Sequence, residues 1–432
     1  MKDTAPLSFG EKIKLVRIAK GLKQEDLAKV INTGQAFVSK LENGQADYDD
    51  RMLATIREFL GIEHAPLFDN ELEDYRNRLW VWNDFVHSNN LHDAKEIQSQ
   101  LSSILQLPFE RDLTLLYLMI ETRILFKEGN LTAGEERLIT AEALLDDAST
   151  EALHLYHRNK GFLYLNQRLL KPALKHSLQA LDYETKNVKP DVGIQINIGS
   201  IYYRLGKPWQ AMMYFKQAKM KYDLGRTHVL ESQINTSIAT CCMLVGEYDN
   251  AEPIFIDALL QAKRIKSNLH IGLALYNLAL FYRLKGDLEA SIKACDEALI
   301  SFKDDYQYII YVLINKALCL IKMKDFTQGK EVIMQGLELA KNNKAMTLLI
   351  EIISHTATLD NKESCDYLEN FAIPYSRTSD VDDGGGIYLA LELCHTLEAH
   401  YKKKRLLKKA QAVATIARDI LLEMHHKGVV FE

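Results

Sequence analysis

Proline is scarce in this chain, with 8 residues in 432. Proline removes a backbone donor and clashes with the preceding helical turn, so its scarcity leaves long helices possible along nearly the whole length. No β-rich stretch competes with them, and long runs rich in Leu, Ala, Lys and Glu point to an all-α protein. Uninterrupted apolar runs are also missing. None approaches the ~20 residues of a membrane span, and Met1 to Glu11 lack the basic-then-apolar layout of a signal peptide, so a cytoplasmic protein with no membrane partner is expected. The 6 cysteines, Cys241, Cys242, Cys295, Cys319, Cys365 and Cys394, have spacings that suit neither a zinc site nor a disulfide framework, and are read as reduced core thiols. Histidines form no third-ligand constellation: His154 and His157 lie three apart, His425 and His426 are adjacent, and neither pair has an identifiable partner, so no metal is expected. There is no G-x-S-x-G, P-loop or zincin motif, hence no enzyme site of known type and no cofactor. A net charge of -5 gives no global attraction to nucleic acid, so any such binding must be local.

What the chain does have is a ladder of small residues recurring about every forty positions. Ala94, Gly134, Ala173, Ala211, Ala251, Ser291, Gly329, Cys365 and Ala410 form one column. Leu101, Ala141, Ala180, Ala218, Ala258, Ala298, Gly336, Ala372 and Ala417 form a second, seven residues further on. Small side chains in both columns let stacked helical hairpins approach closely, which predicts a repeat array. A turn column at Asn89, Gly129, Arg168, Gly206, Gly246, Gly286, Lys324, Asp360 and Arg405 marks about nine hairpins. Its last step is long and contains Ser376 to Gly386, whose acids and glycines read as a loop insertion.

Residues 9 to 60 break this pattern with short helices and tight turns. Phe9, Ile13, Val16 and Arg17 share a helical face; Gln24 to Val30, Gly34 to Glu42 and Arg51 to Leu60 read as further helices. Leu27, Ala28, Val38 and Leu41 are placed for a helix–helix contact, leaving Gln35, Ala36, Ser39, Lys40 and Asn43 on the wet face. The string from Gly21 to Gly44, GLKQEDLAKVINTGQAFVSKLENG, resembles the helix-turn-helix of the Cro/Xre repressors. On that resemblance Gln35, Lys40 and Ala36 face base edges, while Gln24, Ser39 and Asn43 meet phosphate or position the helix. Asp47, Asp49 and Asp50 nearly cancel the local lysines, so a homodimer reading two half-sites is expected. The domains are then a reader at 1–60, a linker at 61–71 and a repeat domain for peptide binding and dimerisation at 72–432.

Residues Ala274 to Phe302 resemble a tetratricopeptide repeat at Leu278, Ala279, Tyr282, Gly286, Ser291, Ala298 and Leu299, which implies a right-handed α-solenoid. Nine residues before the turn column stand Asn159, Asn197, Ser237, Asn277 and Asn315, with Asn235 close to Ser237. An asparagine amide pairs with both the N–H and the C=O of an extended peptide, so these amides are expected to point into an inner groove and hold a peptide backbone. Arg123, Asn166, Tyr203, Arg204, Gln233, Tyr276 and Arg283 are further groove candidates, the arginines for carboxylates.

A Cro-type reader followed by such an array resembles the RRNPP peptide-sensing regulators, most closely their NprR-like members. The resemblance covers the whole chain and implies a short signalling peptide and an operator in double-stranded DNA as partners, dimerisation through the repeats, and peptide-switched transcription. Rap-like members of the same group imply an alternative, antagonism of a response-regulator protein, for which Trp80, Trp82 and Phe85 in the first hairpin are candidate contacts.

Overall fold

The computed structural model describes residues 7–88, 90–184, 191–221, 228–303, 305–340, 344–378 and 385–426, and among these every regular element is helical. Two compact units emerge, residues 1–190 and 191–432.

The first unit opens with four short helices: α1 (Phe9–Ala19), α2 (Gln24–Val30), α3 (Gln35–Glu42) and α4 (Asp50–Phe59). Ser8 and Glu11 form a reciprocal capping box that starts α1, and the Asp49 carboxylate caps α4 by accepting the Met52 N–H at 2.7 Å. Ile13, Val16, Leu27, Ala28, Val38, Leu41 and Ile56 close the core of this quartet. The α1–α3 crossing is tight enough to exclude any side chain at Gly10, where a Cβ would lie 1.9 Å from the Leu41 carbonyl oxygen.

Three hairpins complete the unit: α5 (Asp69–His87) with α6 (Leu91–Leu101), α7 (Arg111–Lys127) with α8 (Leu131–Glu142), and α9 (Thr150–Asn166) with α10 (Leu170–Glu184). The segment expected as a linker, 61–71, is no exposed tether. Ile62, Ala65 and Leu67 are buried, and α5 begins at Asp69, inside the expected linker. The Arg57 guanidinium donates to both Glu71 carboxylate oxygens at 2.7 Å, and Glu71 also accepts from the Leu67 and Phe68 N–H groups. These bonds and the Arg57 charge draw the Glu71 carboxyl below the usual carboxylate range, although its burial acts the other way and is the largest single influence. Lys12, almost wholly buried, donates to the Leu67 carbonyl at 2.6 Å, and Phe9 stacks on Phe68. One continuous apolar core runs from Ile13 through Trp82 and Met119 to Leu163.

The second unit continues with α11 (Val192–Arg204), α12 (Pro208–Lys221), α13 (His228–Leu244), α14 (Tyr248–Ile265), α15 (Asn268–Lys285), α16 (Leu288–Phe302), α17 (Tyr306–Lys322), α18 (Phe326–Ala340), α19 (Lys344–Ala357), α20 (Lys362–Tyr367), α21 (Ile373–Thr378), α22 (Gly385–Lys403) and α23 (Leu407–His426). A π-helical turn, Leu368–Ala372, joins α20 to α21. The expected loop at 376–386 is narrower than the sequence suggested: Ser376 lies in α21 with its side chain buried, α22 already starts at Gly385, and residues 379–384 fall outside the described residues.

Both small-residue columns are buried along their whole length, from Ala94 and Leu101 to Ala410 and Ala417. The packing that demands this is visible at Gly134, where a Cβ would fall 2.3 Å from the Phe126 ring. The turn column is equally physical. Gly129, Arg168, Gly206, Gly246, Gly286, Lys324 and Arg405 all adopt left-handed backbone, with φ between 59° and 94°. Such a residue ends a helix by turning the next N–H back onto its last carbonyls. In three hairpins the following residue then caps the second helix: Asn130 accepts the Ala133 N–H, Asp287 the Ala290 N–H and Asp325 the Gln328 N–H. Asn89 lies outside the described residues, and Asp360 turns without a positive φ.

Candidate functional site

Helix α3 presents Gln35, Ala36, Lys40 and Asn43 to solvent, with Ser39 half-buried, while Val38 and Leu41 face inward. Its C-terminal residue Glu42 is buried in an ion pair with Arg17 of α1: Arg17 Nε donates to Oε1 at 2.6 Å and Nη2 to Oε2 at 2.9 Å. Arg17 Nη1 also donates to the Leu22 carbonyl at 2.6 Å, and Gln24 Nε2 to Glu42 Oε2 at 2.9 Å. This bidentate pair fixes the roll of α3 about its axis, and with it the direction of the exposed face. Gln24, expected to meet phosphate or to position the helix, has its amide nitrogen turned inward to Glu42, the second of these two roles. Sequence reading placed Arg17 on the apolar face of α1 but missed Glu42; an arginine in line with Ile13 and Val16 was the available signal of a buried acidic partner.

The asparagine ladder divides. Asn159 is fully buried and donates to the Met119 carbonyl of α7 at 2.8 Å. Asn235, also fully buried, accepts from Lys219 Nζ at 2.7 Å and donates to Asp257 at 3.1 Å. Asn315 accepts from Arg283 Nε at 2.6 Å and donates to Ser291 Oγ at 3.2 Å. At these three positions the expectation of amides pointing into a groove is not met: a one-carbon stem at the helix–helix seam reaches a neighbouring helix more easily than open space. Arg283 is thereby tied to α17. Arg123 is likewise buried and donates to Asn83 Oδ1 at 2.9 Å, joining α7 to α5. Asn166 is exposed and bonds its own helix at the Phe162 carbonyl, Gln233 is exposed, and Tyr276 lies with its ring centroid 6.4 Å from that of Tyr311.

Asn197 and Asn277 remain half-buried on the first helices of their hairpins. Asn277 reaches a cavity of about 240 Å³ in the second unit, walled by Ser200, Tyr203 and Arg204 of α11, Thr236, Ser237 and Thr240 of α13, and floored by Phe215 of α12. Three successive hairpins thus bring together three of the expected peptide contacts, Tyr203, Arg204 and Asn277. The hydroxyls of Thr236 and Thr240 and the Phe215 ring were not foreseen; polar residues four apart on one face of α13 were the signal.

The aromatic candidates of the first hairpin are mostly packing. Trp82 is fully buried with its ring 5.0 Å from that of Tyr117, and Trp80 and Phe85 pack partly buried on the same core. His154 is buried 3.7 Å from Glu184, while His157 turns instead to His176, Nδ1 to Nδ1 at 2.8 Å. Burial, then the His176 and Lys175 charges, push His157 down to about 4. Among the described residues no three metal-binding side chains cluster, and no helix is long and apolar enough to cross a membrane. All six cysteines are buried thiols outside any disulfide, and burial pushes the Cys241 and Cys295 thiols up to about 12.

Residues 13–67 match the helix-turn-helix family, and 273–299 and 310–343 match the tetratricopeptide repeat. No curated protein matches the chain by sequence. Solved structures match over most of its length. A Rap protein complexed with Competence and Sporulation Factor shares 16% identity over 82% of this chain and 99% of its own, with a TM-score of 0.66. The apo quorum sensor NprR from B. thuringiensis shares 18% over 81% and 99%, also at 0.66. NprR in complex with its cognate peptide NprX shares 19% over 80% and 99%, at 0.62.

The chain has the fold of the Rap and NprR structures. Within that fold, a helix-turn-helix precedes a tetratricopeptide-like α-solenoid, as the sequence led one to expect.

Proposed function

We propose that this protein is a peptide-controlled transcriptional regulator of the cytoplasm, not an enzyme, acting as a homodimer. The observation that carries the reading is the exposed polar face of α3, locked in orientation by the buried Arg17–Glu42 pair, on a chain with the fold of known peptide sensors. Gln35 and Lys40 have the reach and chemistry for base edges, and Ser39 and Asn43 for phosphates. A short peptide in the second unit, contacting several hairpins, favours one conformation of the array and so biases operator affinity. Asn277 and Asn197 are the amides retained for its backbone, with Tyr203 and Arg204 beside Asn277.

Antagonism of a response regulator gains no support from Trp82, which belongs to the core, while Trp80 and Phe85 are only half-buried. The test is to select bound fragments from genomic DNA with the full-length protein, then measure affinity at fixed salt for the wild type and for Gln35→Ala. The peptides to add are those encoded by short reading frames beside the gene. Sequence-specific binding that is weakened by the substitution and altered by one such peptide supports the proposal. Absence of any specific fragment overturns it.

A further inference from the structure

The tip of the last hairpin, between α22 and α23, carries more positive charge than its turn requires. Residues 402 to 409 read Lys-Lys-Lys-Arg-Leu-Leu-Lys-Lys and are all exposed, so that six of the chain's 53 Lys and Arg fall where an even spread would place about one. The third hairpin shows what the turn alone needs. It runs through the same four residues, Arg168, Leu169, Leu170 and Lys171, with the arginine likewise in left-handed backbone, but Asn166, Gln167 and Pro172 stand where Lys403, Lys404 and Lys409 stand here. The added lysines are no part of the turn's geometry. Helix electrostatics accounts for only some of them: a helix C-terminus favours cations, which suits Lys402 and Lys403 in the last turn of α22, whereas a helix N-terminus disfavours them, yet Lys408 and Lys409 occupy the first turn of α23, which holds no acid. Like Leu169, Leu406 stands where Asn130, Asp287 and Asp325 cap the second helices of their hairpins, and a leucine side chain accepts no hydrogen bond. The start of α23 is thus built against its own stability.

Acids answer part of the charge. Lys402 pairs with Glu398 at 2.6 Å, Lys404 pairs with Asp360 at 2.9 Å, and Lys409 lies 3.9 Å from Asp366 and 3.8 Å from Glu369. Among the described residues no acid comes within ion-pair distance of Lys403, Arg405 or Lys408. Between Arg405 and Lys408, Leu406 and Leu407 are 47% and 69% exposed, whereas Leu170, the counterpart of Leu407 in the third hairpin, is half-buried. Cations beside exposed leucines on a hairpin tip suit one kind of surface. Nucleic acid rewards the charges and leaves the leucines in water. A protein partner needs about 800 Å² on each side, more than a few turn residues offer. An anionic bilayer rewards both, drawing lysine and arginine to its headgroups and taking leucine into the interfacial layer. We propose that the α22–α23 turn is a contact for an anionic lipid surface, with Lys403, Arg405 and Lys408 on the headgroups and Leu406 and Leu407 at the acyl boundary. Such a contact needs no spanning helix, so the expectation of no membrane partner, which rested on span length and signal-peptide layout, does not bear on it. It requires neither the peptide nor the operator.

Sedimentation of the full-length protein with lipid vesicles tests this, comparing phosphatidylglycerol mixed into phosphatidylcholine with phosphatidylcholine alone. The protein is expected to pellet with the anionic vesicles only and to be released by salt. Two substitutions separate the contact from the fold, because each obeys the local helix rules better than the native residue does. Lys408→Glu puts an acid in the first turn of α23 and is expected to weaken vesicle binding about 5- to 25-fold, at roughly fivefold for each unit of charge near the surface. Leu406→Asn supplies the missing cap and should weaken binding about 3- to 10-fold. Melting of both variants should stay level or rise. No pelleting, equal pelleting with neutral vesicles, or anionic binding that survives both substitutions overturns the proposal. A fall in melting temperature in both variants makes these side chains structural and overturns it as well. Retention by operator-free DNA in place of vesicles, abolished by Lys408→Glu and untouched by Leu406→Asn, assigns the tip to the phosphate backbone and equally overturns it.

Discussion

Replacing Glu42 with Gln is the sharpest probe of how the reader is held. Glu42 is 1% exposed and Arg17 7%, and two charge-assisted bonds of 2.6 and 2.9 Å join them. Glutamine keeps the size and one acceptor oxygen but leaves the guanidinium buried without a countercharge, with only the Leu22 carbonyl still fully available to it. Breaking a buried pair in this way costs about 3–5 kcal/mol. In a Trp209→Phe background the remaining tryptophans, Trp80 and Trp82, both report on the first unit. With a urea dependence of about 2 kcal/mol per molar, the midpoint of that unit is expected to fall by roughly 1.5–2.5 M. The double replacement Arg17→Met with Glu42→Leu removes both charges together, and most of the loss should return. A fall below about 0.5 M for Glu42→Gln, or a double variant weaker than the single one, refutes the argument that an uncompensated buried charge governs the site.

Three further outcomes are expected. Gln35→Ala and Lys40→Ala should each lose about 1–3 kcal/mol at a matched operator and relax specificity there, with folding unchanged, as read by gel shift at fixed salt. Asn159→Ala should lower the stability of the first unit by about 0.5–1.5 kcal/mol, because it removes the buried bond that ties α9 to the Met119 carbonyl of α7, whereas Asn277→Ala should leave melting unchanged and weaken peptide binding. The His157–His176 pair makes the first unit acid-sensitive. His157 is held at about 4, below its usual 6.5, so the folded state binds fewer protons than the unfolded chain. Stability is full above 6.5 and drains as pH falls toward 4, and His157→Phe should flatten the dependence of the urea midpoint on pH across that window.

How much of this was legible depended on whether a signal was periodic. The two small columns and the left-handed turn residues recur with the hairpin, so their burial and geometry could be read before any coordinates. The exposed face of α3 was legible too, because Val38 and Leu41 define its opposite. Direction within a seam was not. Asn159, Asn277 and Asn315 occupy one repeat position, yet whether the amide meets a neighbouring helix or a cavity is decided by partners from other helices: the Met119 carbonyl for one, Arg283 and Ser291 for another. The Arg17–Glu42 pair was hidden because the two residues lie 25 positions apart and belong to no repeat.

The shared core of the reader and the first hairpins has a practical consequence for anyone exchanging parts between such proteins. A cut at residue 60 severs Arg57 from Glu71 and Lys12 from the Leu67 carbonyl, and uncovers Ile62, Leu67 and Phe68. A chimaera joined there inherits an open apolar wound on each half. A graft that carries the foreign reader together with its own counterparts of 61–71 and of Phe109, over whose ring the Lys12 ammonium sits at 5.8 Å, transplants a closed surface instead. In this protein the exchangeable cassette therefore ends inside the repeats and not before them.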